Sequence, residues 1–308
     1  MKILKGLLLI LSIALLLSGC GNTTGNKNNK DIIYTTIYPL QYLVKNIAGD
    51  LVDVQSVYPP GVDEHTYEPT AKDLTDIAEG KAFFYIGAGL EALASTAANA
   101  LENQDVNLIE IGSHQELFLP SDHDHESEDH DHEHSDFDPH IWLDPIRMIE
   151  IAEIVKDELV EIYPEEAEKL NENLETVQAE LQELHEEYEQ VITQKQNKQI
   201  LVTHAAFGYW EDRYDLEQIA IHGISTENEP SQKDLIAIVD TAQEHGLEYI
   251  IFEQNVTTRT SEVIQKEIDA EVLIIHNLAV LTDEDIAEKE DYLSIMRENL
   301  QVLDKAMD

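Results

Sequence analysis

A single cysteine, Cys20, rules out an internal disulfide, so the folded body must be held by its own core. Basic side chains are scarce: 19 Lys and Arg face 63 Asp and Glu, a formal net charge of −44 at pH 7. A surface this negative repels nucleic acid and anionic head groups while drawing in cations, which excludes nucleic-acid binding. The same acidity is common in proteins that stay soluble in high salt, so it decides nothing about mechanism. Beyond the first twenty residues there is no run of about 18 to 20 uninterrupted apolar residues, so no membrane-spanning helix is expected in the mature chain.

What is present begins with Lys2 and Lys5 ahead of the apolar run Leu7 to Leu17, which has the form of a secretory signal over residues 1–19. Its end, Leu17-Ser18-Gly19-Cys20, resembles a bacterial lipobox, which implies that Cys20 carries a lipid anchor. Residues 20–30, including the polar stretch GNTTGNKNNK, then form the anchor and a flexible tether.

Two sets of short, β-branched runs follow. The first comprises Ile32 to Ile37, Val52 to Tyr58, Phe83 to Ile86 and Leu108 to Ile111; the second comprises Ile200 to Thr203, Leu216 to Ile221, Tyr249 to Phe252 and Val272 to Ile275. Their alternation with helical patterns predicts an α/β fold of two lobes, each with a small, mostly parallel β-sheet flanked by helices. Helix starts are marked by Thr70…Asp73, Ser231…Asp234 and Thr282…Asp285, each a hydroxyl followed three residues later by a carboxylate, and by Asp144-Pro145. The lobes span 31–144 and 198–308. Between them, 145–197 reads as a helical linker interrupted at Tyr163-Pro164. Within it, Leu170, Leu174, Val177, Leu181, Leu184 and Tyr188 form one apolar stripe, as expected of a helix packed across both lobes.

Three histidines sit at element boundaries, where side chains reach a cleft more readily than a core. His65 lies in PPGVDEHTYEPT, His140 in FDPHIWLDP and His204 in VTHAAFGYW. They are far apart in sequence and form no local ligand motif, so spacing alone leaves open that each is an ordinary loop or core histidine. A different pattern occupies 121–136, where His123, His125, His130, His132 and His134 alternate with Asp and Glu. With no apolar periodicity to offset the entropy of ordering, this acidic insertion is expected to be a mobile loop that binds zinc loosely.

Taken together and in this order, the three motifs, the lipobox and the His-rich insertion resemble the solute-binding lipoproteins of zinc and manganese ABC importers, over nearly all of the mature chain. The similarity is to the zinc-specific branch. It implies two α/β lobes joined by one long rigid helix with the metal site in the inter-lobe cleft, His65 and His140 coming from the first lobe and His204 from the second. Manganese members usually carry a carboxylate at the position of His204, and imidazole suits zinc better than the harder manganese ion. Many relatives supply a fourth ligand from an acid where this chain has Ala279; here Glu64 or water is the expected substitute, with His222 and His276 at strand ends as other candidates. His185, among glutamates on the linker, reads as a solvated residue.

The resemblance implies a non-enzymatic, monomeric protein, lipid-anchored on the extracytoplasmic face of the cell membrane, that captures Zn2+ and delivers it to an ABC importer permease. A manganese-binding homologue or a metal-binding adhesin is the nearest alternative. A secreted zinc hydrolase is the alternative of another class, since three histidines and a water also describe a catalytic zinc site.

Overall fold

The computed structural model describes residues 30–87, 90–120, 137–224, 230–255 and 259–307. Cys20, the N-terminal signal and the five histidines between 121 and 136 lie outside the described residues. Among the described residues no helix is long and apolar enough to cross a membrane.

Among the described residues, eight strands form two four-stranded sheets. The first contains β1 (Ile32–Thr35), β2 (Asp53–Ser56), β3 (Ala82–Tyr85) and β4 (Asn107–Glu110) in the order β2-β1-β3-β4. The second contains β5 (Gln199–His204), β6 (Glu217–His222), β7 (Tyr249–Glu253) and β8 (Glu271–Ile275) in the order β6-β5-β7-β8. The lobes therefore repeat one winding order, and every strand pair is parallel, as in Ile33 opposite Val54 and Val202 opposite Ile251. Parallel neighbours need a crossover, which helices supply, so an inner strand such as β3, Ala-Phe-Phe-Tyr, is buried along its whole length. In a sheet of this order the crossovers diverge at the carboxyl ends of the first and third strands, and a crevice opens there.

Local chemistry starts the helices where the sequence predicts. Thr70, Ser231 and Thr282 each accept from the amide three residues on while the Asp at that position reaches back to the cap amide. Asp144 caps the helix Pro145–Ile162 by accepting from the amide of Ile146 at 3.0 Å. The linker consists of that helix and a second, Ala167–Ile192, 26 residues long, with the turn at Tyr163–Glu166. The stripe from Leu170 to Tyr188 on the longer helix is buried, packed against the first-lobe helix Tyr38–Ala48 and the C-terminal helix Tyr292–Ala306, so one helix spans both lobes. His185 departs from the expected solvated setting: it is half-buried, stacked on Tyr214 with its Nδ1 3.2 Å from the Tyr214 hydroxyl. The ring of Tyr214 turns towards the linker and covers it.

One hydrophobic core runs through both lobes from Ile33 to Met307, and a smaller cluster around Leu201, Ile250 and Phe252 lies in the second. The largest fully buried side chains, Trp142, Trp210, Tyr188, Tyr209 and Tyr292, gather where the lobes meet. Their polar atoms are all used: Trp142 Nε1 donates to the Asn277 carbonyl, Trp210 Nε1 to the Leu143 carbonyl, Tyr188 to the Met296 carbonyl and Tyr292 to the Trp142 carbonyl, each at 2.7 Å. Tyr209 donates to the Asp138 carbonyl at 2.8 Å. Buried aromatics with satisfied polar ends add both area and direction, which fixes the junction on which the crevice rests.

Candidate metal centre

The crevice is built from the segments that follow the strands. The turn after β2 carries Glu64 and His65, and the backbone amide of His65 donates to Asp63 Oδ1 at 2.9 Å. His140 precedes a short 3-10 turn, Ile141–Leu143, that leads into the helix capped by Asp144. His204 is the last residue of β5 and Glu253 the last of β7. Gly208 allows the segments bearing His140 and His204 to approach, since a Cβ there would stand 2.6 Å from Asp138 Oδ2.

One ring nitrogen from each of His65, His140 and His204 lies within 4.8 Å of the other two. His140 Nε2 and His204 Nε2 are 3.2 Å apart. His140 and His204 are buried, and the His65 side chain is 7% exposed, with its Nε2 buried and unpartnered. The far nitrogens are held by carboxylates: Asp138 Oδ1 accepts from His140 Nδ1 at 2.8 Å, and Glu253 Oε1 bonds His204 Nδ1. A carboxylate behind an imidazole fixes its tautomer and turns the lone pair of Nε2 inwards, the arrangement common behind metal-ligating histidines. Glu64 is buried at 1% exposure, with Oε1 3.9 Å from His65 Nε2, and stands beside the three-imidazole set.

Each group's charge follows from its neighbours. Burial, with the two other imidazoles beside it, drives the pKa of His65 down to about 3, so it is neutral and free to ligate. Burial also opposes a charge on His204, but the Glu253 carboxylate outweighs it and the pKa is raised. Burial would raise Glu253 in turn; the attraction of His204 and the Asn277 hydrogen bond outweigh it and the pKa falls. Burial pushes Glu64 up to about 8, with the Glu253 and Asp63 carboxylates adding to the effect against a backbone hydrogen bond that lowers it. With Nδ1 of both His140 and His204 turned to carboxylates, their two Nε2 atoms face the same space, where a cation placed between the rings can take both lone pairs.

Sequence reasoning missed the residues behind the histidines. Asp138 carries a legible signal, an acid two positions before a histidine, and Glu253 another, a lone carboxylate ending an otherwise apolar strand. Asn277, which joins Glu64 and Glu253, has no local signal. His276 is turned away: its Nε2 meets Asp285 at 3.0 Å and its Nδ1 accepts from the amide of Leu278 at 2.9 Å. His222, buried opposite His204 in register, is not in the three-imidazole set. Ala279 is fully buried and offers no ligand atom, its backbone spanning Asn277 and Tyr38.

Residues 33–306 match the sequence profile of the family described as ZnuA, zinc-uptake complex component A, periplasmic. The chain belongs to this family. Among its members, the zinc-binding lipoprotein AdcA of Streptococcus pneumoniae strain R6 is 33% identical over 308 residues, covering 98% of this chain and 60% of that protein. The chain thus spans little more than half the length of the curated streptococcal AdcA proteins it matches. The high-affinity zinc uptake system protein ZnuA of Bacillus subtilis is 30% identical over 306 residues, covering 97% of this chain and 96% of that protein. The crystal structure of the Zn(II)-bound ZnuA-like domain of S. pneumoniae AdcA superposes with a TM-score of 0.75 at 31% identity, covering 91% of this chain and 99% of that domain. The family membership accords with the two-lobe architecture.

Proposed function

We propose that this chain is an extracytoplasmic zinc-binding lipoprotein, anchored through Cys20, that captures Zn2+ and hands it to an ABC importer permease without catalysing a reaction. The observation that carries the reading is the convergence of His65, His140 and His204 within 4.8 Å, two of them backed by buried carboxylates. Three imidazoles suit zinc, and Glu64, neutral at pH 7 through burial and able to lose its proton to the metal, supplies the fourth position. Burial of His140 and His204 favours holding an ion over turning over a substrate. The insertion 121–136, with His123, His125, His130, His132 and His134, gathers zinc for the cleft in this reading.

Zinc titration calorimetry on a chain lacking the insertion tests the assignment. Replacing His65, His140 and His204 together by alanine is expected to abolish tight binding. Undiminished affinity in that triple variant would sink the cleft as the zinc site.

A further inference from the structure

Asn277 is where the two halves of the site meet. It follows β8, is 1% exposed, and uses every polar atom it has. Its Oδ1 accepts from the amide of Ala279 at 3.1 Å and from Gln254 Nε2 at 3.0 Å. Those two accepted bonds orient the amide, so the Nδ2 end must face the other way. There it stands 2.8 Å from Glu253 Oε2, 3.3 Å from Glu64 Oε1 and 3.3 Å from Asn255 Oδ1. The backbone of Asn277 is fixed as well, donating to Gln254 Oε1 at 2.9 Å and accepting from Trp142 Nε1 at 2.7 Å.

The amide nitrogen has two hydrogens and two carboxylates within reach, one from each lobe. On the second-lobe side it holds the oxygen of Glu253 that is not bonded to His204. On the first-lobe side it holds Glu64 Oε1, the same atom that lies 3.9 Å from His65 Nε2. A carboxylate oxygen has two lone pairs, so Oε1 can accept from Asn277 and still face the imidazoles. Two buried acids this close repel when charged, and a donor shared between them makes their proximity tolerable.

We propose that Asn277 is a positioning residue of the zinc site: by donating to Glu64 and Glu253 together, it sets the fourth ligand and the orientation of His204 as one unit. The inference rests on the reading that His65, His140, His204 and Glu64 hold zinc. It gives the two lobes a direct polar link at the metal, through a residue that does not itself touch the ion.

The test is a double-mutant cycle on the full chain with Asn277→Ala, Glu64→Gln and their combination. Zinc affinity is read by competition with a chromogenic chelator, and ligand geometry from the visible absorption of Co2+ bound in place of zinc. Asn277→Ala is expected to weaken zinc binding about 10- to 100-fold, the range typical of groups that orient metal ligands. It should also reproduce the Co2+ spectral change given by Glu64→Gln, and the double variant should lose less than the product of the two single losses. A wild-type Co2+ spectrum in Asn277→Ala, or losses that simply multiply, would overturn the inference. If Asn277→Ala does not fold, Asn277→Ser, which leaves a smaller void, carries the same cycle. His140→Ala separates the two levels of the argument. If it leaves zinc affinity intact, the site reading itself fails; if it abolishes binding while the cycle multiplies, only the role of Asn277 falls.

Discussion

At the scale of single residues, the imidazoles differ because their partners differ. His65 has burial and two other rings beside it and sheds its proton readily; His204 has Glu253 and holds on to one. Zinc must compete with that proton, so affinity is expected to fall as pH decreases, and because the pKa of His204 is raised the fall begins above the ordinary histidine value of about 6.5. Glu253→Gln keeps an acceptor for His204 Nδ1 but removes the charge that raises it, so the onset should move to lower pH. Chelator-competition titrations from pH 5 to 8 read this directly; an onset that does not move in Glu253→Gln would contradict the assigned cause. The histidines themselves were legible through the resemblance carried by their three motifs, since a place at an element boundary left each open as an ordinary loop or core residue. Asp138, Glu253 and Asn277 were not used in reading the sequence, because their importance lies in what stands opposite them.

Among the elements, the helix Pro145–Ile162 ties the site to the scaffold. Asp144 caps it and also meets Arg213 from the second lobe in a two-pronged contact, Nε at 3.1 Å and Nη2 at 2.6 Å from Oδ2. The carboxylate is buried while Arg213 is partly exposed, which tempers the value of the ion pair. Asp144→Ala should cost about 2 to 4 kcal/mol, combining a lost cap of about 1 kcal/mol with an unpaired guanidinium at the lobe junction. Asp144→Asn, which keeps the cap, should cost less. Urea unfolding midpoints at unchanged slope check both, and equal losses would assign the whole effect to the ion pair with Arg213 rather than to the cap. The element boundaries were readable because they rest on local rules: all eight strands fall on the predicted apolar runs to within a few residues, and hydroxyl–carboxylate pairs start three helices. The setting of His185 was not, because its cover, Tyr214, comes from another helix.

On the scale of the whole molecule, the described residues on either side of the insertion form a closed base. Pro120 and Phe137 form an antiparallel bridge, the amide of Asp138 donates to the Leu119 carbonyl at 2.9 Å, and the Tyr209 hydroxyl accepts from the amide of Leu119 at 3.1 Å. Ends held this close tolerate a shorter connection at small entropic cost. Deleting Asp122 to Ser135 is therefore expected to leave the high-affinity zinc site intact and to remove only weaker binding equivalents. Calorimetric stoichiometry decides it, and loss of the tight site on deletion would make the insertion part of the cleft. Read alone, the sequence was enough for the strand and helix succession and the two-lobe class, because hydrophobic period, capping and turn chemistry act over a few residues; the three motif histidines stood out only through the family resemblance of their motifs. Only the tertiary structure decided which carboxylates stand behind which rings, that Asn277 joins Glu64 to Glu253, and that His276 turns away to Asp285. Those contacts join residues remote in sequence or on different segments, and their energies depend on burial and distance, which exist only once the two sheets have been brought together.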